Sequence, residues 1–278
     1  MPYKFKPGML YRMPTHFGPS LGPRQGKDGS KFINIDSPKT TYVSVSFITN
    51  QEQLEVLLPD GFTMGAEPVV TVQASYITEI EWLAGRGYNT LGVSWPAIFN
   101  GKQDRVSGKF LSVLWENLAD PIITGRDELG YNKVYCELPE PATLFDQMRC
   151  VATWQGFQFM DMKLSNLKQL SANEILTTTA DTSNNGILHF KYIPKTGDWG
   201  KADIAYATFS PAANPNRVIK EAWQGDGFLK FHPATWEELP TLFSIVNTFH
   251  NLEIKEYRSA MIIKTVGGKD WSDQRILR

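Results

Sequence analysis

The sequence predicts an α+β chain that is mostly β: a curved antiparallel sheet closing into a barrel or cone, with few helices. Three observations support this. Of 278 residues, 42% are hydrophobic and 12% aromatic, with 16 Phe, 10 Tyr and 8 Trp among them. β-Branched and ring side chains pack well on a pleated surface, so this content favours strands. Alternating apolar and polar runs recur along the chain, and no long helical patterns interleave with them, which disfavours a parallel βαβ fold. No linker divides the middle of the chain, so we expect an extended Gly/Pro-rich arm over residues 1–38 and one domain over 39–278.

The arm holds Met13-Pro14-Thr15-His16-Phe17-Gly18-Pro19 and Gly22-Pro23-Arg24-Gln25-Gly26. Each proline removes an amide donor and restricts the residue before it, so regular structure is not expected there. A surface arm is the simpler expectation; the sharper one is an arm that covers a pocket or a neighbouring subunit. Thr41–Ile48 then alternates, with Val43, Val45 and Phe47 on one face and Tyr42, Ser44 and Ser46 on the other, the pattern of a half-buried strand. Asn50 with Gln53, the stripe Leu54, Leu57 and Leu58, and the stop Pro59-Asp60-Gly61 predict a short capped helix. Val69–Ile77 places Val70, Val72, Ala74 and Tyr76 on one face and Thr71, Gln73 and Ser75 on the other. A polar strand face is usually solvated, but in a small barrel it can line the interior.

Further strands are expected at Lys109–Trp115, Cys150–Met162, Ile187–Ile193, Ile204–Phe209, Val218–Trp223, Phe228–Phe231 and Glu253–Thr265. One substantial helix is expected late in the chain. Thr235 and Glu238 form a capping-box pattern, Pro240 suits a first turn, and Leu242, Phe243, Val246 and Phe249 have helical spacing.

The net charge of −1 argues against electrostatic binding of nucleic acid or acidic lipid. Two cysteines, Cys136 and Cys150, cannot make a disulfide framework and read as small buried side chains in a reducing compartment. No apolar run reaches the roughly 18 residues of a membrane span, and the opening Met1-Pro2-Tyr3-Lys4-Phe5-Lys6-Pro7 has no apolar core of signal-peptide length. Cytoplasmic location is the expectation.

The sequence lacks a P-loop, a dinucleotide fingerprint and a Gly-x-Ser-x-Gly elbow. His16, His189, His232 and His250 are scattered, with none in metal-ligand spacing. What remains is the run Gly125-Arg126-Asp127-Glu128-Leu129-Gly130-Tyr131-Asn132-Lys133. An average lysine is a solvated surface charge. This one follows a glycine-aromatic turn and has Leu129, Tyr131, Val134 and Tyr135 around it.

The run resembles the reactive-lysine motif of the acetoacetate decarboxylase family: Gly-Arg-Glu, a few residues, then aromatic-Pro-Lys, with the same glycine-to-lysine spacing. Two more stretches resemble the family in the same order. Glu67-Pro68-Val69-Val70 is similar to its Glu-Pro-Leu-Val, and Glu221-Ala222-Trp223-Gln224-Gly225 with Leu239-Pro240 is similar to its Glu-Ala-Trp-x-Gly and Leu-Pro. The resemblance spans about residues 40–262. It implies an acetoacetate decarboxylase-like fold, no cofactor, a homo-oligomer (dimer or tetramer), and Lys133 as a Schiff-base nucleophile on a small keto acid. An amine attacks a ketone only when unprotonated, and burial or a neighbouring cation favours that form.

The chain departs from the decarboxylating members. They carry a second lysine where this sequence has Val134, an arginine near Thr40, an acidic residue at Gln73 and a glutamate at Thr90. The nucleophile is kept and much of its polar company is changed. That pattern resembles a divergent branch that condenses pyruvate with an aldehyde and then removes water. The expectation is therefore a Schiff-base lyase of aldolase-dehydratase type, with small keto acid and aldehyde substrates. The alternatives are a decarboxylase of a β-keto acid such as acetoacetate, and a non-catalytic barrel binding an aromatic or apolar ligand. Tyr88 and Glu128 are candidate proton carriers beside Lys133, and Gln73, Tyr76, Glu116 and Arg126 are candidate substrate contacts. Tyr76 and Glu116 are also candidate proton carriers. Gln73, an amide, can hydrogen-bond a carboxylate. Each of these tyrosines and carboxylates reads equally well as a partnered core hydroxyl or a solvated charge. Arg126 reads more simply as a structural partner of Asp127 or Glu221.

Overall fold

The computed structural model describes residues 4–18, 22–179 and 185–278; residues 1–3 and 19–21 of the expected arm lie outside the described residues. Within them a single sheet runs through β1 (Lys39–Ile48), β2 (Phe62–Met64), β3 (Val69–Thr78), β4 (Tyr88–Asn100), β5 (Arg105–Glu116), β6 (Lys133–Tyr135), β7 (Ala142–Leu144), β8 (Gln147–Trp154), β9 (Phe157–Gln169), β10 (Gly186–Pro194), β11 (Ala202–Pro211), β12 (Val218–Phe231), β13 (Glu256–Val266) and β14 (Arg275–Ile276). Helices are few: α1 (Gln51–Glu55), α2 (Ala119–Thr124), α3 (Ala172–Thr179) and α4 (Phe243–His250). None is long and apolar enough to cross a membrane.

The strand order is β14-β11-β10-β5-β4-β3-β1-β13-β12-β9-β8-β7, with β2 on β4 and β6 on β5. The mostly-β fold is as expected, but the sheet does not close into a barrel or cone. It forks instead at β5, which pairs in parallel with β10 at Lys109 and Phe110 and with β6 at Leu114 to Glu116. Its ends are the two-residue β14 and the fully exposed three-residue β7, too short to zip onto one another. Nor is every pairing antiparallel, since both pairings at the fork are parallel.

Alternation predicts the central strands because burial is one-sided there. Val43, Val45 and Phe47 are buried, as are Val70, Val72 and Ala74, and β1 pairs β3 with these residues opposite one another. Each such side chain contributes roughly 1.5–3 kcal/mol by leaving water. Leu91, Val93 and Trp95 of β4 extend the same apolar face, and Phe159, Met160 and Met162 of β9 belong to the same core.

Three stretches fold differently from expectation. Cys150–Met162 is a hairpin, not one strand: Trp154 pairs Phe157 across Gln155-Gly156, and both turn residues have positive φ, the geometry that suits strand twist. Val218–Trp223 and Phe228–Phe231 join into the single strand β12, because Gly225 and Gly227 let neighbouring chains approach where any Cβ would collide. The late capping box forms, with Thr235 N to Glu238 Oε2 at 2.9 Å and Glu238 N to Thr235 Oγ1 at 3.3 Å, yet α4 begins only at Phe243. Pro240 lacks the amide hydrogen that a continuous helix would use. At α1, Asn50 Oδ1 accepts from Glu52 N as a cap should, while Gln53 turns away to Asn251 O at 2.9 Å.

A second, smaller apolar cluster of Leu111, Leu129 and Tyr131 lies on the other face of the sheet. Here His189 of β10 is fully buried and stacked on Tyr131, with centroids 3.7 Å apart and planes 21° apart. Neither ring nitrogen has a partner among the described residues. Burial, assisted by the Lys133 cation, pushes the imidazole down to about 3. The unfolded chain binds that proton from pH ~6.5 downward and the folded one does not, so stability is lost as pH falls from 6.5 toward 3. Denaturant unfolding at pH 7 and pH 4.5 should therefore show a smaller acid loss in His189→Gln than in the wild type, by on the order of 2–3 kcal/mol. Equal losses in the two proteins would contradict the assignment.

Candidate active site

The lysine run is built as a closed loop. After α2, Gly125–Leu129 forms a single π-helical turn, which Gly130 ends in the left-handed region at φ 73°. A side chain at 130 would also lie 2.5 Å from Lys191 Cβ. Tyr131 N then donates to Gly125 O at 3.0 Å, and Arg126 Nη1 donates to Lys133 O at 3.0 Å. These bonds fix the point at which β6 begins, and so the direction of its first residue, Lys133.

Register decides which face that is. Lys133 pairs with Leu114, Leu114 with Gly92, and Gly92 with Gln73. Directly paired residues point to the same side of a sheet. The Lys133 face is thus the polar one, opposite the apolar core, and it carries Tyr42, Ser44, Gln73, Ser75, Tyr88, Thr90 and Glu116. Thr40, Ser75, Thr90, Glu116 and Thr265 are all buried there.

Lys133 is 6% exposed and Glu116 is 1% exposed. Lys133 Nζ lies 2.8 Å from Glu116 Oε1 and donates to Pro121 O at 3.0 Å. It also sits 5.5 Å from the Tyr131 ring centroid. Gly125 presses on the same side chain, since a Cβ there would stand 2.6 Å from Nζ. Glu116 Oε2 has no partner among the described residues. Burial raises the Glu116 carboxyl above the ordinary carboxylate value, against the pull of Lys133. Tyr88 is raised well above the ordinary phenol value by burial and then by Glu116, so its hydroxyl stays protonated and can donate.

The structure brings together Lys133, Glu116 and Tyr88; Gln73 lies further along the same face. Gln73 stands three strands from Lys133, on the order of 14 Å between backbones. The structure separates Tyr76 and Glu128 from them. Tyr76 points to the opposite, core face with Ala74 and Val72, because three residues along a strand reverse the side. Glu128 is drawn off by the arm: Arg12 Nε bonds its Oε1, and Arg24 Nε is 3.9 Å from Oε2. The arm therefore clamps the lysine loop of its own chain. Arg126 meets neither Asp127 nor Glu221 in an ion pair; Glu221 pairs with Lys264 at 3.0 Å.

Sequence reasoning missed two residues at the site. Tyr131 was read as part of the turn and of the apolar surroundings of Lys133 but given no role, yet its ring lies beside the amine. His189 supports that ring from behind, and the parity of β10 was the available signal. Glu116 also takes on a new meaning. It pairs directly with Thr90 across β4 and β5, so a carboxylate stands on the neighbouring strand beside the position where the resemblance places the decarboxylases' glutamate.

Comparison with known proteins agrees with this architecture. The family profile described as Acetoacetate decarboxylase (ADC) matches residues 12–270. No curated protein matches the sequence. Among solved structures, an acetoacetate decarboxylase is 17% identical, with 99% of this chain and 98% of that chain covered at a TM-score of 0.68. The acetoacetate decarboxylase of Legionella pneumophila is 17% identical, with 92% and 94% covered at 0.63. The enduracididine biosynthesis enzyme MppR, complexed with the condensation product of pyruvate and imidazole 4-carboxaldehyde, is 14% identical, with 86% and 87% covered at 0.60. At these identities the structures establish a shared fold, and the profile, spanning nearly the whole sequence, establishes that the chain belongs to the acetoacetate decarboxylase family.

Proposed function

We propose that this protein is a Schiff-base-forming lyase that condenses pyruvate or a similar small keto acid with an aldehyde and then removes water. The observation that carries the reading is the buried contact between Lys133 and Glu116, an amine and a carboxyl 2.8 Å apart. Transfer of one proton from the ammonium to the carboxylate leaves a neutral amine beside a neutral acid. That change removes two charges from a site where charge is poorly solvated.

The neutral Nζ attacks the keto carbon to give a carbinolamine. The Glu116 acid then returns its proton to the departing hydroxyl, which leaves as water, and the iminium remains. The Glu116 carboxylate next takes a proton from the adjacent methyl carbon, and the iminium accepts that electron pair as an enamine. The enamine carbon adds to the aldehyde, whose oxygen takes a proton that Tyr88 can relay. Loss of a second methyl proton and of this hydroxyl gives an unsaturated iminium, which water hydrolyses to the keto acid product and free Lys133. The Glu116 carboxylate stands beside the iminium cation until it takes up the methyl proton, and the enamine that then forms is neutral at nitrogen beside a protonated Glu116. Gln73, on the same face, supplies a neutral donor toward a carboxylate. The condensation product held by MppR, a protein of the same fold, supports keto acid and aldehyde as the substrate pair.

Decarboxylation of a β-keto acid is the second reading, favoured by the placement of Glu116 opposite Thr90. The same iminium would accept the electrons released as CO2 leaves.

Borohydride trapping separates these readings. Incubation with pyruvate should give a reduced adduct on Lys133 by mass spectrometry, and none in Lys133→Ala; an undiminished adduct in that variant would exclude the mechanism. An adduct formed only with acetoacetate, after CO2 release, would replace condensation with decarboxylation. Failure with every keto acid tried would leave a non-catalytic binding protein. Glu116→Gln should slow adduct formation about 100-fold or more by removing the proton acceptor, measured as the trapping rate at saturating pyruvate; an unchanged rate would remove Glu116 from the mechanism. Gly125→Ala should reduce turnover at least about tenfold with the far-ultraviolet spectrum kept, because its methyl occupies the space of the lysine side chain. Full activity in that variant would show that the close approach is not needed.

A further inference from the structure

On the core face of the sheet, behind Lys133, lies a cavity of about 480 Å³. Trp95, Phe110, Phe190 and Phe249 form its aromatic walls, α4 closes one side, and Arg126 stands at its rim. Val134 also lines it, so the cavity touches β6 on the side opposite the lysine amine. A volume of this size, walled mainly by rings and aliphatic side chains with polar groups such as Ser112, Asn132 and Thr248 among them, is the ordinary form of a small-molecule site.

Two features point to the ligand's chemistry. Arg126 forms no ion pair with any carboxylate among the described residues, and its one hydrogen bond there, from Nη1, goes to the Lys133 carbonyl. Its fork therefore keeps donors for an incoming anion. Trp95 is 1% exposed, and its indole nitrogen has no partner among the described residues, which leaves a donor unused within the wall. The remaining surface rewards apolar contact. The geometry points to a second ligand site, distinct from the lysine site, for an aromatic monocarboxylate whose acid group meets Arg126 and whose ring enters between Phe110, Phe190 and Phe249. This site does not depend on the proposed reaction.

The probe is 2-naphthoate, followed by tryptophan fluorescence and calorimetry on the full chain, with the neutral 2-naphthalenemethanol beside it. We expect saturable one-to-one binding of naphthoate that Lys133→Ala leaves intact. Ser244→Trp, which fills the mouth from an exposed position on α4, should weaken both ligands at least about tenfold. Arg126→Met should weaken naphthoate by about tenfold or more, the loss of one charge-assisted contact, and leave the neutral alcohol within about twofold. Absence of saturable binding would overturn the site. So would binding that Ser244→Trp does not affect, or binding lost in Lys133→Ala, which would place the ring on the lysine face instead.

Discussion

The contact between Lys133 and Glu116 is the constraint to which the rest of the structure answers. Moving two opposite charges out of water costs several kcal/mol for each ion, and their attraction offsets this only when geometry and further hydrogen bonds are good. Here the geometry is close, but the further bonds are few. Lys133 has Pro121 O, and Glu116 Oε2 has nothing among the described residues. A half-satisfied buried ion pair lies nearer in free energy to its neutral form than a fully bonded one. A protein whose only need was stability would be served as well by two apolar residues. In the proposed reaction this pair offers instead a proton that can move between nitrogen and oxygen over a single hydrogen-bond length.

The surrounding chain holds this pair in place from both sides of the sheet. On the polar face, Gly125 and Tyr131 confine the amine, and His189, kept uncharged by burial, supports Tyr131 through a stack. Gln274 ties the same region together through Leu129 O at 2.7 Å and Ser210 Oγ at 3.2 Å, and Ser210 in turn meets the Tyr131 hydroxyl at 3.1 Å. On the other face, the aromatic core around Trp115 fixes β5, and β5 carries Glu116. The first residue of a three-residue strand is thus as firmly directed as one inside a long strand. The arm adds a further restraint, since Arg12 and Arg24 anchor Glu128 in the same loop.

Much of this was legible in the sequence, for reasons particular to each segment. β1 and β3 were readable because each buries one face only, and strict alternation records that. β4, the longest of the central strands, was not predicted: Gly92 and Pro96 interrupt its pattern, and both look like breakers until a neighbouring strand is known to pass close by. Closure of the sheet could not be judged, because strand patterns do not say that β5 divides its edge between β10 and β6. Lys133 was legible through its motif. Glu128 was misjudged because closeness in sequence was taken for closeness in space, and the π-turn sends it toward the arm. Tyr76 was misjudged despite a usable signal: it lies three residues from Gln73 on one strand, so the two could not face the same site. The pairing of Glu116 with Lys133 needed the parallel register of β5 and β6, which only the fold supplies.

Chemical rescue asks whether the amine at position 133 is the nucleophile. Lys133→Cys should form no reduced pyruvate adduct. Alkylation of that cysteine with 2-bromoethylamine restores a primary amine at nearly the original reach, and Lys133→Ala treated alike controls for Cys136 and Cys150. Adduct formation should return in the alkylated Lys133→Cys protein alone, mapped to residue 133. An adduct that persists in unalkylated Lys133→Cys, on Lys191 or any other lysine, would contradict that role for Lys133.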